Sequence, residues 1–396
     1  MDIHYLDNAA TTKPSADSLK AAADSFSEAW GNPSSAHAVG RRASALLEES
    51  RKAVLHSLGL PRLTQDRLVF TASGTEANNI AILGCAHSKT RHETNGQLGT
   101  VIISAGEHPS VSGPASLLEK EGYKVVRIPT SGGVLSEDDI RAAVNDAQSP
   151  VILAAFMLVN NETGALYDIK KASDIIKSRF PDANIHCDAV QAFTKIRFTP
   201  SSLGADTLAV SSHKIHAPRG AGALYISKEI IKRKNISAVM PGGGQENGLR
   251  SGTENLAAIA AFACAAAEET ADFAKNRAAV ENLRALLDGE LRALCPEIAF
   301  NLPKNGTPDI LSITLPKIKS ETMLNFLSSR NIFVSAGSAC SAHSKKKSEA
   351  LEAFGLTEEA ADSVIRISIS HDNTEDDIKA LSGALREGID SLQKKK

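Results

Sequence analysis

Short apolar runs alternate along much of the chain with stretches whose apolar positions recur at helical spacing. The runs Leu68 to Thr71, Thr100 to Ser104, Lys124 to Ile128, Val151 to Leu158, Asn184 to Cys187, Thr207 to Val210 and Gly222 to Ile226 predict buried strands bounded by turn residues. Helices are predicted over 16–29, 36–58, from Ser73 to Cys85, and over 111–121, 136–144 and 168–179. In the second of these, Val39, Ala43, Leu46, Leu47, Val54 and Leu55 share one face. Strands alternating with helices predict an α/β unit with a mainly parallel sheet. The polar loops at His108, Asn161, Asp188–Gln191 and Lys214 each follow a strand, the end of such a sheet at which ligands bind. Beyond a long helical region at about 254–293, the pattern becomes a smaller α+β unit. Strands are expected at 309–315, 332–335 and 364–369, and helices at 320–329 and 374–392. The expected organisation is an N-terminal arm at 1–14, a large domain at 15–260 and a small domain at 261–396.

Composition narrows this picture. The 396 residues are 42% hydrophobic and 23% charged, with a formal net charge of -2. That balance is ordinary for a globular protein and gives no reason to expect nucleic acid or an anionic membrane as partner. Five cysteines in an odd set without C-x-x-C spacing argue against a disulfide framework. Cys85, Cys187, Cys264 and Cys295 sit in apolar patterns and are expected in the core. No apolar run is long enough for a membrane span, and no leader pattern opens the sequence, so a cytoplasmic location is expected.

Three stretches carry candidate chemistry. Ser211-Ser212-His213-Lys214 lies in a polar loop between two predicted core strands. A lysine there suits Schiff-base formation with a carbonyl cofactor such as pyridoxal phosphate, or is an exposed hairpin lysine; the loop alone does not separate the two. Ser73 and Glu76 have capping-box spacing, and Gly74 and Thr75 between them suit a phosphate at a helix N-terminus, although a capped helix needs no ligand. The glycine-rich turn from Met240 to Thr253 interleaves Gln245, Arg250, Ser251 and Thr253, hydrogen-bonding groups expected of a functional loop. His186-Cys187-Asp188 and His213-x-x-His216 have no matching second cluster in the sequence, so no metal is expected. The absence of G-x-S-x-G argues against a serine hydrolase.

Read in order, the motifs Tyr5-Leu-Asp-Asn-Ala-Ala-Thr-Thr12, Gly31-Asn-Pro-Ser-Ser35, Ser73-Gly-Thr-Glu-Ala-Asn-Asn79, Glu107-His108, Asn160-Asn-Glu-Thr-Gly164, Asp188-Ala-Val-Gln191, Ser211-Ser-His-Lys214, Arg250-Ser-Gly-Thr253 and Gly337-Ser-Ala-Cys340 resemble the cysteine desulfurases. These are pyridoxal-phosphate enzymes of the class V aminotransferase group, and the resemblance runs from about Tyr5 to Arg366. It implies the fold-type I architecture, a large domain with a mainly parallel seven-stranded sheet plus a smaller α+β domain, and a homodimer. It implies Lys214 as the cofactor-binding and proton-shuttling lysine, and Asp188 as the partner of the pyridine nitrogen. His108 would stack on the ring and act as acid or base, and Gln191 would bond the phenolate oxygen. Gly74, Thr75, Ser211 and His213 would hold the phosphate, with Thr253 from the other subunit. Asn161 and Arg366 would bind the substrate. Cys340 would take sulfur from L-cysteine as a persulfide, leaving alanine. The long loop around Cys340 resembles the group serving iron–sulfur cluster assembly and tRNA thiolation, so a sulfur-acceptor or scaffold protein is the expected partner. Lys345–Lys347 and Ala217-Pro218-Arg219-Gly220 depart from the usual pattern and bear on which acceptor docks. The rivals are a selenocysteine lyase, a cysteine lyase releasing sulfide, an aminotransferase of the same fold, and a non-catalytic sulfur-relay or scaffold subunit. The set Lys214, Asp188, His108, Gln191 and Arg366 argues against the last, because a binding-only protein has no need of an electron sink.

Overall fold

The computed structural model describes residues 2–60, 65–92, 98–337 and 348–393. Its strands, in chain order, are β1 (His4–Tyr5), β2 (Arg67–Thr71), β3 (Thr100–Ser104), β4 (Lys124–Ile128), β5 (Val151–Met157), β6 (Asn184–Asp188), β7 (Thr207–Ser211), β8 (Gly222–Ile226), β9 (Ala299–Phe300), β10 (Ile310–Thr314), β11 (Ile332–Phe333), β12 (Ser335–Ala336) and β13 (Val364–Ser368). The seven predicted strands of the first unit form one seven-stranded sheet in the order β2-β8-β7-β6-β5-β3-β4. The pairs β3/β4, β3/β5, β5/β6 and β6/β7 are parallel, and β8 runs antiparallel to both β7 and β2. Every residue of β3, β5, β6, β7 and β8 is buried. A parallel sheet covered by helices on both faces demands such continuous apolar runs.

The strand order reverses direction between β3 and β5. Chain crossovers leave to opposite sides there, which opens a crevice at the carboxyl ends of the strands. The loops after β3, β5, β6 and β7 carry His108, Asn161, Gln191 and Lys214 respectively. Two glycines let the backbone close up at this edge. A Cβ on Gly74 would stand 2.7 Å from Val190 Cγ2, and one on Gly222 would stand 2.5 Å from the Ser73 carbonyl carbon.

A four-stranded antiparallel sheet, β12-β13-β10-β9, builds the C-terminal part. Leu283, Leu287 and Leu291 of the helix Phe273–Leu294 and Ile378, Leu381 and Leu385 of the helix Glu375–Gln393 pack with it. The sequence reading differs from the structure in two places here. The expected strand 332–335 is two short pieces, because Ile332–Phe333 pairs with β1 while Ser335–Ala336 pairs with β13. The helical region is two helices, Leu256–Ala271 and Phe273–Leu294, separated at Asp272. The first passes without a break through residue 260 and packs Phe262, Ala265 and Ala266 into the core of the large sheet. Cys85 and Cys187 are buried, but Cys264 and Cys295 are only partly so, a correction to the expected core positions. Among the described residues no helix is long and apolar enough to cross a membrane.

Candidate active site

A cavity of about 880 Å³ opens at the crevice. Gly74, Thr75, His108, Asn161, Asp188, Gln191, Ser211, His213, Lys214 and Arg366 all line it, so ten of the expected site residues meet in one place. Thr253 does not line it; it is exposed in the turn following Arg250, whose Nε donates to Glu76 Oε1 at 2.8 Å beside the Gly74 turn. Cys340 lies outside the described residues.

The floor is a hydrogen-bonded chain. Asp188, at the end of β6, accepts from Asn78 Nδ2 (2.7 Å) through one oxygen and from the Val190 N–H (3.0 Å) through the other. Asn78 Nδ2 also donates to Ser110 Oγ at 2.8 Å, and Ser110 Oγ lies 2.8 Å from His108 Nδ1. Because Asn78 spends its amino group on these acceptors, its Oδ1 must accept from His186 Nε2, 2.9 Å away. The Ser110 N–H donates to His108 Nδ1, so His108 is assigned as the neutral tautomer with its proton on Nε2. Burial pushes the His108 pKa down, a push that the Lys214 charge reinforces and the Asp188 charge opposes. Burial holds His186 at about 3, neutral at working pH.

The strand β7 ends in a single 3-10 turn, Ser212–Lys214, before the chain returns as β8. Lys214 Nζ donates to the carbonyls of Ala9 and Ala10, the latter at 2.7 Å. The Thr12 N–H donates to the His213 carbonyl at 2.9 Å, so the N-terminal arm and the lysine turn support each other. His213 sits near 4, depressed by burial and by the Lys214 charge. Gln191 Nε2 donates to the Ala9 carbonyl at 2.9 Å.

The wall comes from the C-terminal sheet. Arg366 of β13 is 2% exposed; its Nη2 donates to Asp7 Oδ1 at 2.7 Å and its Nη1 to the Asn161 carbonyl at 2.9 Å. Two further carboxyls, left out of the expected set, face the same cavity. Glu107 accepts from Ser104 Oγ and from the Met157 N–H, and burial raises its pKa to about 8. Glu162 accepts from Ser348 Oγ, and burial raises it to about 7 against the pull of Ser348 and Arg366. Asn78, Ser110 and His186 also escaped the sequence reading. A signal was present for one of them: Asn78 and Asn79 fall inside a helix, where asparagine is unfavourable unless it has a partner.

The described residues leave four buried polar atoms of this cavity's lining without hydrogen-bond partners: Ser211 Oγ, Gln191 Oε1, Arg366 Nε and Glu107 Oε2. Unspent hydrogen-bonding capacity in a buried site calls for a polar ligand. A helix N-terminus at Gly74, a hydroxyl at Ser211, a fixed carboxylate at Asp188 and a lysine at 214 match the phosphate, ring nitrogen and aldehyde of pyridoxal phosphate. The residues present fit that group.

The sequence profile of the aminotransferase class-V family matches residues 4–381. The chain belongs to the class-V aminotransferase family. Class-V aminotransferases and the relatives named below depend on pyridoxal phosphate. Among relatives of this class-V chain, a NifS/IcsS protein homolog of Lactobacillus delbrueckii subsp. bulgaricus is 37% identical over 383 residues, which cover 93% of each chain. Cysteine desulfurase IscS of Clostridium botulinum is 33% identical over 94% of this chain and 91% of its own length. Among solved structures, the NifS-like protein from Rickettsia africae superposes with a TM-score of 0.86 at 30% identity, covering 98% of this chain and all of that one.

Proposed function

We propose that the protein is a cysteine desulfurase that removes sulfur from L-cysteine, releases L-alanine and leaves a persulfide on Cys340 for sulfur acceptors in iron–sulfur cluster assembly or tRNA thiolation. The observation that carries this reading is the convergence of Lys214, Asp188, His108 and Arg366 on one cavity. Similarity to chains named cysteine desulfurase supports it.

Lys214 would hold pyridoxal phosphate, with Asp188 at its ring nitrogen, Gln191 at its phenolate oxygen, and Gly74, Thr75, Ser211 and His213 at its phosphate. When bound, the cofactor supplies the electron sink that lets the substrate Cα–H bond break and makes the substrate sulfur open to attack. Arg366 binds the substrate carboxylate through its planar fork, with Asn161 beside it. Lys214 takes and returns the proton at the substrate α-carbon. His108, neutral and with its N–H on Nε2, orients the ring and donates to the substrate. The Cys340 thiolate forms an S–S bond to the substrate sulfur as the C–S bond breaks. The electron pair of the broken bond ends, with a proton, in a C–H bond of alanine.

A second copy of the chain supplies Thr253, which this chain does not bring to its own cavity. The exposed Leu19, Phe26 and Trp30, on or just after the helix Ala16–Glu28, offer an apolar face to such a copy. We place the large and small units on either side of Asp272, shifted from residue 260, and the protein in the cytoplasm.

The test is alanine release from L-cysteine in the presence of a thiol reductant, wild type beside Cys340→Ala. Release that is largely lost in the variant supports the persulfide route. Equal release from both removes Cys340 from the mechanism and favours a lyase. No release from either cofactor-loaded protein rejects L-cysteine as substrate.

A further inference from the structure

A second, smaller cavity of about 30 Å³ also borders Lys214. Among the side chains that line it, three bring metal-ligating atoms together: His216, just after the lysine turn; Glu269, on the helix Leu256–Ala271; and His371, just after β13. One donor atom from each lies within 4.8 Å of the other two. We propose that these residues bind one divalent first-row transition ion, for which Zn²⁺ is the natural probe. The inference does not depend on the desulfurase reading.

Four observations carry it. First, the imidazoles are oriented from outside the cluster. His216 Nδ1 lies 3.1 Å from the Lys13 carbonyl, which can only accept, so Nδ1 carries the proton and Nε2 keeps a lone pair. Asp372 stands behind both rings, 3.2 Å from His216 Nδ1 and 3.4 Å from His371 Nδ1. A carboxylate or carbonyl behind each imidazole is the usual second shell of a metal-bound histidine. Second, His216 is held in the left-handed region at φ 61°, an uncommon conformation for a non-glycine residue. Its N–H donates to Thr12 Oγ1 (2.7 Å), and its carbonyl accepts from the Ser15 N–H (2.8 Å) and Ser18 Oγ (3.0 Å). Such backbone settings persist where the surroundings over-determine them, and they cluster at functional positions.

Third, two of the three ligands are held in place by burial and hydrogen bonds. His216 and Glu269 are buried, and Glu269 Oε2 is steadied by Asn276 Nδ2 at 3.2 Å while its Oε1 lies 2.8 Å from His371 Nε2. Bonds of about 2.0–2.1 Å in a tetrahedral site require donors about 3.3 Å apart, so an ion would draw these three together from within 4.8 Å. The cavity has room for a water as a further ligand. Fourth, the donor set is selective. Two imidazoles and one carboxylate suit zinc or iron(II) better than magnesium or calcium. Glu269 and Asp372 bring the negative charge. Lys195, Lys214 and Arg277 line the same cavity and oppose a cation; Asp309 beside Lys195 offsets part of that charge, and Arg277 is paired with Glu281.

The three ligands come from three segments far apart in sequence, which is why the cluster could not be read from spacing. An ion there would tie the turn after Lys214 to the C-terminal sheet, a structural clasp beside the lysine.

The test uses the full-length holoenzyme carrying Cys340→Ser, so that this thiol does not capture the ion. It is stripped with chelator, loaded with Zn²⁺, dialysed and analysed for metal; Co²⁺ loading then reports the ligands by visible absorption. The expected result is one ion per chain, a Co²⁺ spectrum free of thiolate charge transfer, and a raised melting temperature. His371→Ala and Glu269→Gln abolish stoichiometric binding, and Asp372→Asn weakens it about 10- to 100-fold. Should His371→Ala fail to fold, Glu269→Gln, close to isosteric, decides alone. Substoichiometric metal in the parent protein overturns the proposal and leaves the cluster a His371–Glu269 ion pair. Binding that survives both substitutions also overturns it.

Discussion

The floor and the wall of the large cavity are built on different principles. The floor residues Asp188, Asn78, Ser110 and His108 belong to one sheet and the helices packed on it, and each spends its hydrogen bonds on the next. The wall forms where distant parts of the chain meet: Arg366 pairs with Asp7 across 359 residues and with Asn161 across 205. Hydrogen bonds within the floor hold both oxygens of Asp188 in place, whereas Arg366 keeps a buried Nε without a partner among the described residues. A closed network fixes a charge in place before any ligand arrives, which is what electrostatic assistance to a reaction requires. An open one accepts a ligand. Under the proposed function, the floor governs the chemical step and the wall governs substrate capture.

Substitutions can break that contrast. Lys214→Ala should have the largest effect, lowering kcat about 10²- to 10⁴-fold through loss of proton transfer, with the cofactor's visible band altered. Asp188→Asn keeps the shape and removes the charge; kcat for alanine release should fall about 10²- to 10³-fold with KM little changed. A change in KM alone would end the contrast. Arg366→Lys keeps a charge but loses the fork. It should raise KM for L-cysteine about 10- to 100-fold, the equivalent of one charge-assisted hydrogen bond, with kcat nearly intact.

The smallest effect sharpens the floor's own account. Glu107 has a folded-state pKa of about 8, above its ordinary value, because burial disfavours its charge. Between those two values the folded protein holds a proton that the unfolded chain releases, so stability is full at acid pH and falls as pH rises towards 8. Glu107→Gln keeps an oxygen for Ser104 and Met157 but cannot ionise. Its melting temperature should match wild type in acid and exceed it above pH 8, as thermal melts across pH will show.

Much of this was legible in the sequence. The apolar runs that form β2 to β8, the loop bearing Lys214 and the capping pair Ser73–Glu76 all rest on local signals. In the capping pair the Glu76 N–H donates to Ser73 Oγ at 3.1 Å, and the Glu76 carboxylate accepts from the Ala72 N–H. What escaped depends on tertiary pairing. Nothing local tells that Asn78 will face His186 and Asp188, more than a hundred residues later. The split of 332–335 into two strands is set by two different partners, one of them β1 at the other end of the chain. The character of Glu107 comes from burial, which spacing does not reveal.

The junction of the arm with the C-terminal sheet has a consequence for biosynthesis. Asn8 bonds to Ser368 across 360 residues, and the arm it anchors carries the two carbonyls that receive Lys214. On a ribosome adding about 5–20 residues per second, roughly 8–30 s separate the emergence of Lys214 from that of Ser368. For that interval the nascent chain has Lys214 but neither the strand that anchors its arm nor a finished pocket around it.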